Sequence, residues 1–212
     1  MNSRRRLFAV ACLLGMAGPL LAAVAEPPKP AVPAVPAVPA VPAVPAMPSM
    51  PEAAAAAAQK LKAEFFVEFD EAADKIQQLA AAMPADKYGW RPAAGVRSVG
   101  EVFMHVAGGE YFIMKMAGTP PPADWPKDPE TTVVAKDQIA VWLARSIKEA
   151  RGAVEQAGPE QMEKSVDFFG RQLSGRGLYL RMLNHMNEHL GQAIAYARMN
   201  GVTPPWSKSA GG

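Results

Sequence analysis

Three side chains in this 212-residue sequence could together hold a metal ion, and they are its only histidines: His105, His185 and His189. His185 and His189 are four residues apart. On a helix that spacing puts both imidazoles on one face, a turn apart, within reach of one ion. They also lie on an apolar seam with Leu178, Met182, Gln192 and Tyr196, spaced alternately by four and three. Both rings should therefore point inward. Unpartnered ring nitrogens there would cost free energy by desolvation, and a shared metal removes that cost. His105 shares a helical face with Glu101, Gly108 and Phe112, and Gly108 and Gly109 leave room beside it for another helix or a ligand. A hydrogen-bonded core histidine would explain His105 taken alone. The set of three is more economically explained as one three-histidine site.

Three neutral ligands would leave a divalent ion its full charge, lowering the pKa of a bound water or thiol towards neutrality. Three imidazoles bind several such ions, so affinity alone does not choose among them. Glu188 and Gln192 sit close to the pair on the same helix and are candidates to support a ligand or accept a proton. A solvated helix charge is the other reading of Glu188. Tyr196 and Trp90 either line a pocket or pack in the core. Two readings of the site follow. An open coordination position would make it catalytic, with an unidentified small-molecule substrate. A fourth ligand such as Glu188 or Glu101 would close it and make the ion structural, in a non-catalytic binding or interaction module. His185 to His189 also spells H-x-x-E-H, the pattern of inverted zinc peptidases. That chemistry needs a further ligand, usually a downstream acid, and no Asp or Glu occurs after Leu190. No G-x-S-x-G elbow, phosphate-binding glycine loop or C-x-x-C-H haem attachment is present. The methionines near the site helix read as core filler.

Four helices must position these residues. The first is expected from about Glu52 to Met83, with Phe65, Phe69, Ala72, Ile76, Leu79 and Met83 on one face. The second runs from about Val99 to Ala117, with Ser98 and Glu101 as a capping box and Gly118 at its end. The third runs from about Lys136 to Ala157, with Ile139, Leu143, Ile147, Ala150 and Val154 inward. The fourth runs from about Gly175 to Asn200, with Ser174 as N-cap and Gly201 beyond its C-terminus. No convincing strand run appears, and Gln161–Leu173 is irregular or a short hairpin at most. The fold class is all-α, a four-helix bundle over residues 52–212. The long connection from Thr119 to Ala135 would serve as a crossover or as a lid over one end.

Two appendages precede the bundle. Residues 1–25 have a basic start (Arg4, Arg5, Arg6), an apolar run and an Ala23-Val24-Ala25 cleavage site, the pattern of a secretory signal peptide. Ser3 to Phe8 partly resembles a twin-arginine signal, with Leu and Phe exchanged. An uncleaved anchor is the alternative. Cleavage would leave no stable membrane insertion, and the mature protein would be periplasmic or secreted. Cys12, the single cysteine, lies inside this segment, so the mature chain has no disulfide, thiol nucleophile or thiolate ligand. Residues 26–51 form a linker built on five Ala-Val-Pro repeats, in which proline every third position favours extended polyproline II. Net charge is +2 with scattered basic residues, which gives no nucleic-acid surface.

Residues 60–206 resemble the DinB-like (YfiT-like) superfamily. One block runs from Lys87-Tyr88-Gly89-Trp90-Arg91-Pro92 through Ser98-Val99-Gly100-Glu101 to His105. The other runs from His185-Met186-Asn187-Glu188-His189 through Tyr196 and Gly201 to Pro204-Pro205-Trp206. The resemblance implies a four-helix bundle wired up-down-down-up, often a homodimer. It also implies one nickel, zinc, iron or manganese ion on His105, His185 and His189 with positions left for water or substrate. Some relatives transfer or use low-molecular-weight thiols, and others are regarded as metal-dependent hydrolases. An export signal and a proline linker set this chain apart from the typical member.

Overall fold

The computed structural model describes residues 49–208. The signal segment, the linker as far as Pro48 and the last four residues lie outside them. Helix α1 (Met50–Ala82) starts a little before the expected boundary. Ser49 caps it, its backbone N–H donating to Glu52 Oε2 at 2.8 Å, and Pro51 falls in the first turn, where its missing N–H costs nothing. Phe65, Phe69, Ala72, Ile76, Leu79 and Met83 are all buried, as their spacing requires.

A 3-10 turn (Ala85–Lys87) leads towards α2 (Val99–Met116). Tyr88 ties this turn back to α1, its buried hydroxyl donating to the Ala80 carbonyl at 2.7 Å. The Ser98–Glu101 capping box forms: Ser98 N–H donates to Glu101 Oε2 at 2.7 Å, and Glu101 N–H donates to Ser98 Oγ at 3.3 Å. The other carboxylate oxygen of Glu101 accepts from Arg91 at 2.9 Å. Glu101 is thus occupied as a cap and is not a fourth ligand.

The connection from α2 to α4 (Lys136–Gln156) carries one short helix, α3 (Pro129–Thr132). Ile139, Leu143, Ile147, Ala150 and Val154 of α4 are buried. After α5 (Pro159–Glu163), strands β1 (Ser165–Phe168) and β2 (Arg171–Ser174) form an antiparallel hairpin, with Ser165 opposite Ser174 and Phe168 opposite Arg171. The sequence offered at most a short hairpin here, and four-residue strands are too short for clear alternation. Its turn is Phe169-Gly170, with φ of 53° and 79°. That is the primed turn matching strand twist, usually filled by Asn-Gly. Phenylalanine in the left-handed region costs about 1–2 kcal/mol.

Helix α6 (Gly175–Met199) starts at Ser174, whose Oγ accepts from Gly177 N–H at 3.2 Å. It ends with Gly201 at φ 72° and Val202 N–H donating to the Ala197 carbonyl at 2.8 Å, a Schellman closure. A 3-10 turn at Pro205–Lys208 follows. The structure is mostly helical. Helices α1 and α2 each pack against both α4 and α6, and one continuous core joins them. No described helix is long and apolar enough to cross a membrane.

Candidate metal centre

The three histidines converge, although His105 is 80 residues from His185. Helix α2 brings His105, and α6 brings the other two. All three are half-buried, and each offers a ring nitrogen within 4.8 Å of those of the others. His105 Nε2 lies 3.1 Å from His185 Nε2. Ring centroids are 4.5 to 5.0 Å apart.

Hydrogen bonds away from the centre decide which nitrogens face it. His105 Nδ1 is 2.8 Å from Glu130 Oε1, and His189 Nδ1 is 2.8 Å from Gln192 Oε1. Glu130 and the amide oxygen of Gln192 only accept, so each Nδ1 donates there and each Nε2 is the nitrogen left to face the centre. Gln192 is itself fixed, its amide donating to Tyr196 Oη at 3.0 Å. The Glu130 carboxylate also accepts from Arg97 Nε at 2.6 Å. Burial opposes its ionisation, but the bonds from Arg97 and His105 outweigh that and hold its carboxyl below the usual value.

His185 is placed by packing. Its Nδ1 is buried with no hydrogen-bond partner. The ring lies against Gly109, where an added Cβ would stand 2.5 Å from Nδ1 and 3.0 Å from Nε2. The close approach expected of Gly108 and Gly109 is therefore that of an imidazole onto Gly109. Burial, followed by the neighbouring His189, His105 and Arg181, pushes His185 down to about 4. Burial also lowers His189, partly offset by Gln192. Both rings are neutral at pH 7, the form a metal requires. The cluster could hold a metal ion, and the 3.1 Å between His105 and His185 suits one. Nitrogens bound tetrahedrally at ~2.0–2.1 Å lie roughly 3.3 Å apart.

Glu188 forms an ion pair with Arg181 at 3.0 Å and hydrogen-bonds none of the histidines. The Arg181 bond holds its carboxyl below the usual value. Trp90 and Tyr196 pack edge to face, with centroids 5.4 Å apart, Tyr196 in the core and Trp90 partly buried against it. Glu130 and Arg97 were not identified from sequence. Glu130 is 25 residues from His105 on a four-residue helix. The only local signal was Asp128-Pro129, a cap and first-turn pair that starts α3.

A cavity of about 570 Å³ opens beside the centre. His105, His185, Gly108, Gly109 and Glu130 are part of its lining.

A mostly helical protein with three converging imidazoles and an adjoining cavity defines a class of helical proteins built around a candidate metal centre. Residues 68–193, more than half of the chain, match the DinB superfamily, and the chain belongs to that superfamily. An uncharacterised Bacillus subtilis protein, YjoA, is 26% identical over 133 residues, covering 59% of this chain and 82% of its own length. The crystal structure of a DinB-like protein from Bacillus cereus superposes with a TM-score of 0.59 at 20% identity, covering 66% of this chain and 93% of that one. The crystal structure of YjoA itself gives 0.54 at 22% identity, with the same coverage. At these identities the two structures establish a shared fold.

Proposed function

We propose that this chain is an exported, divalent-metal-dependent enzyme of hydrolase or thiol-transferase type, acting on a small molecule from a four-helix bundle. The carrying observation is that His105 and His189 have their outer nitrogens anchored by Glu130 and Gln192, which turns their other nitrogens to a centre that adjoins an open cavity through His105 and His185. The packing of four long helices around one core supports the bundle reading. A divalent ion held there, of zinc, nickel, iron or manganese type, supplies Lewis acidity.

The chain's own groups do the rest. Glu130, fixed by Arg97, orients His105 and places a negative charge just behind it. Gln192 does the same for His189 without charge. Glu188, kept ionised by Arg181, is the proton acceptor in this reading. Export rests on residues 1–25, and a homodimer on the family resemblance alone.

The test is elemental analysis of protein starting at Glu26, made without tag histidines or added metal, beside His105→Ala, His185→Ala and His189→Ala. About one ion per chain, lost in each variant, is expected. Glu188→Gln should keep the ion, and losing it there would make Glu188 a structural support instead. A folded parent still empty after reconstitution with all four metals would overturn the proposal. Signal cleavage is checked by the N-terminus of the mature protein, and the dimer by its mass in solution.

A further inference from the structure

Part of the lining of the cavity beside the histidines is not used by the metal centre. Its walls there are Phe112 and Ile113 of α2, Phe168 and Phe169 of the hairpin, and two arginines, Arg171 and Arg181. Phe112 stacks on Phe169 with centroids 5.7 Å apart and planes at 19°, and Phe168 meets both rings edge-on. Phe169 is nonetheless 78% exposed and holds a left-handed φ. Folding alone favours neither property, since asparagine would suit the turn better and water would solvate it. An exposed, strained aromatic at the mouth of a cavity is accounted for by something that packs against it.

The charges there point the same way. Glu130 is answered by Arg97, and Arg181 by Glu188. Arg171 forms no ion pair among the described residues, and it sits across the strand register from Phe168. This part of the cavity therefore combines an apolar aromatic wall with one uncompensated guanidinium.

We infer that this part of the cavity binds a small organic carboxylate with an aromatic or apolar body, the body against Phe112, Phe168 and Phe169 and the carboxylate on Arg171. Guanidinium suits a carboxylate because its planar fork can donate two parallel hydrogen bonds. The inference rests on the proposed enzyme for its meaning as a substrate site, but the binding itself does not need the ion.

The experiment is calorimetric titration of the metal-free chain from Glu26 with phenylpropionate, its neutral amide and propionate. Metal-free protein removes coordination as a source of anion preference. Phenylpropionate should bind saturably and roughly tenfold or more tighter than the amide, and propionate, lacking the ring, should bind more weakly still. Arg171→Gln should bring the acid-to-amide ratio close to one. Phe169→Asn should weaken acid and amide alike while the melting temperature holds or rises, because Asn-Gly suits the turn. A structural role for Phe169 would instead lower the melting temperature. Equal binding of acid and amide, an unchanged ratio in Arg171→Gln, or no saturable binding at millimolar ligand would overturn the inference. A parent that never takes up metal but shows the acid preference would sink only the enzyme reading. A metal-loaded parent without that preference would sink only this one.

Discussion

Replacing Gly109 with alanine should separate the metal site from the fold. The added Cβ would stand 2.5 Å from His185 Nδ1 and 3.0 Å from Nε2. Cε1 of the ring would be nearer still, and non-bonded heavy atoms settle at about 3.5–4.0 Å, so the ring must retreat by roughly 1.5 Å. Metal sites tolerate ligand displacements of about 0.2 Å. His185 would then no longer share an ion with His105 and His189. Disturbing only a hydrogen-bond partner of a ligand costs roughly 10–100-fold in affinity, and displacing the ligand itself should cost at least that. The helix responds in the opposite sense. Alanine in a helix interior is favoured over glycine by about 0.8–1.0 kcal/mol, and His185 can swing into the cavity it already lines. The metal-free melting temperature should therefore hold or rise while zinc affinity falls. Gly108→Ala is the control. Its Cβ meets only Trp125 Cζ2, at an ordinary 3.7 Å, so it should gain the same helix preference and keep its zinc affinity. Competition with a chromophoric zinc chelator gives affinity, and circular-dichroism melts in chelator give stability. Parent-like zinc affinity in Gly109→Ala would refute the reasoning, because it would mean that His185 is not held where a ligand is needed.

Two further outcomes follow from the polar groups around the centre. Glu130→Gln removes the charged acceptor of His105 and the partner of Arg97, and zinc affinity should fall roughly 10–100-fold in the same competition assay; no change would mean that packing alone orients His105. Glu110 is fully buried with neither carboxylate oxygen hydrogen-bonded, and burial raises it well above its ordinary 4.5. A carboxyl that keeps its proton in the fold but loses it on unfolding stabilises below the unfolded value. That stability is lost as pH rises towards the folded value. Urea melts should show the parent losing up to about 1.4 kcal/mol per pH unit relative to Glu110→Gln from about pH 4.5 upward. The histidines, common to both proteins, cancel in the difference. A pH-independent difference would mean that Glu110 is equally ionised in both states.

The long helices were legible because their signals are local. The apolar face of α1 repeats through Phe65, Phe69, Ile76 and Leu79, and the Ser98–Glu101 box marks the start of α2 within four residues. The inward seam of α6 placed His185 and His189 together, and the absence of other histidines made His105 their natural third. The supporting groups were harder in proportion to their distance along the chain. Gln192 was legible because it is three residues from His189 on the same helix. Glu130 was not, because its link to His105 spans 25 residues and depends on where a proline-rich connection settles. The turn at Phe169-Gly170 was obscured for another reason, since the residue in its first left-handed position is the wrong type for the turn.

That last mismatch separates two kinds of element in the site. The three histidines ride on α2 and α6, whose neighbouring residues Met104, Val106, Met182 and Met186 are fully buried, so the core fixes where the imidazoles meet. The aromatic wall and Arg171 ride on a two-stranded hairpin, and Glu130 on a helix of one turn, segments with little core of their own. Local sequence preference governs such short segments weakly, and a residue that suits its ligand better than its backbone can persist there. Glu130 depends on Arg97 and His105 to stay in place, and Phe169 on Phe112 and Phe168. The core of the helices therefore sets where an ion could sit, while these weaker segments set what can lie beside it.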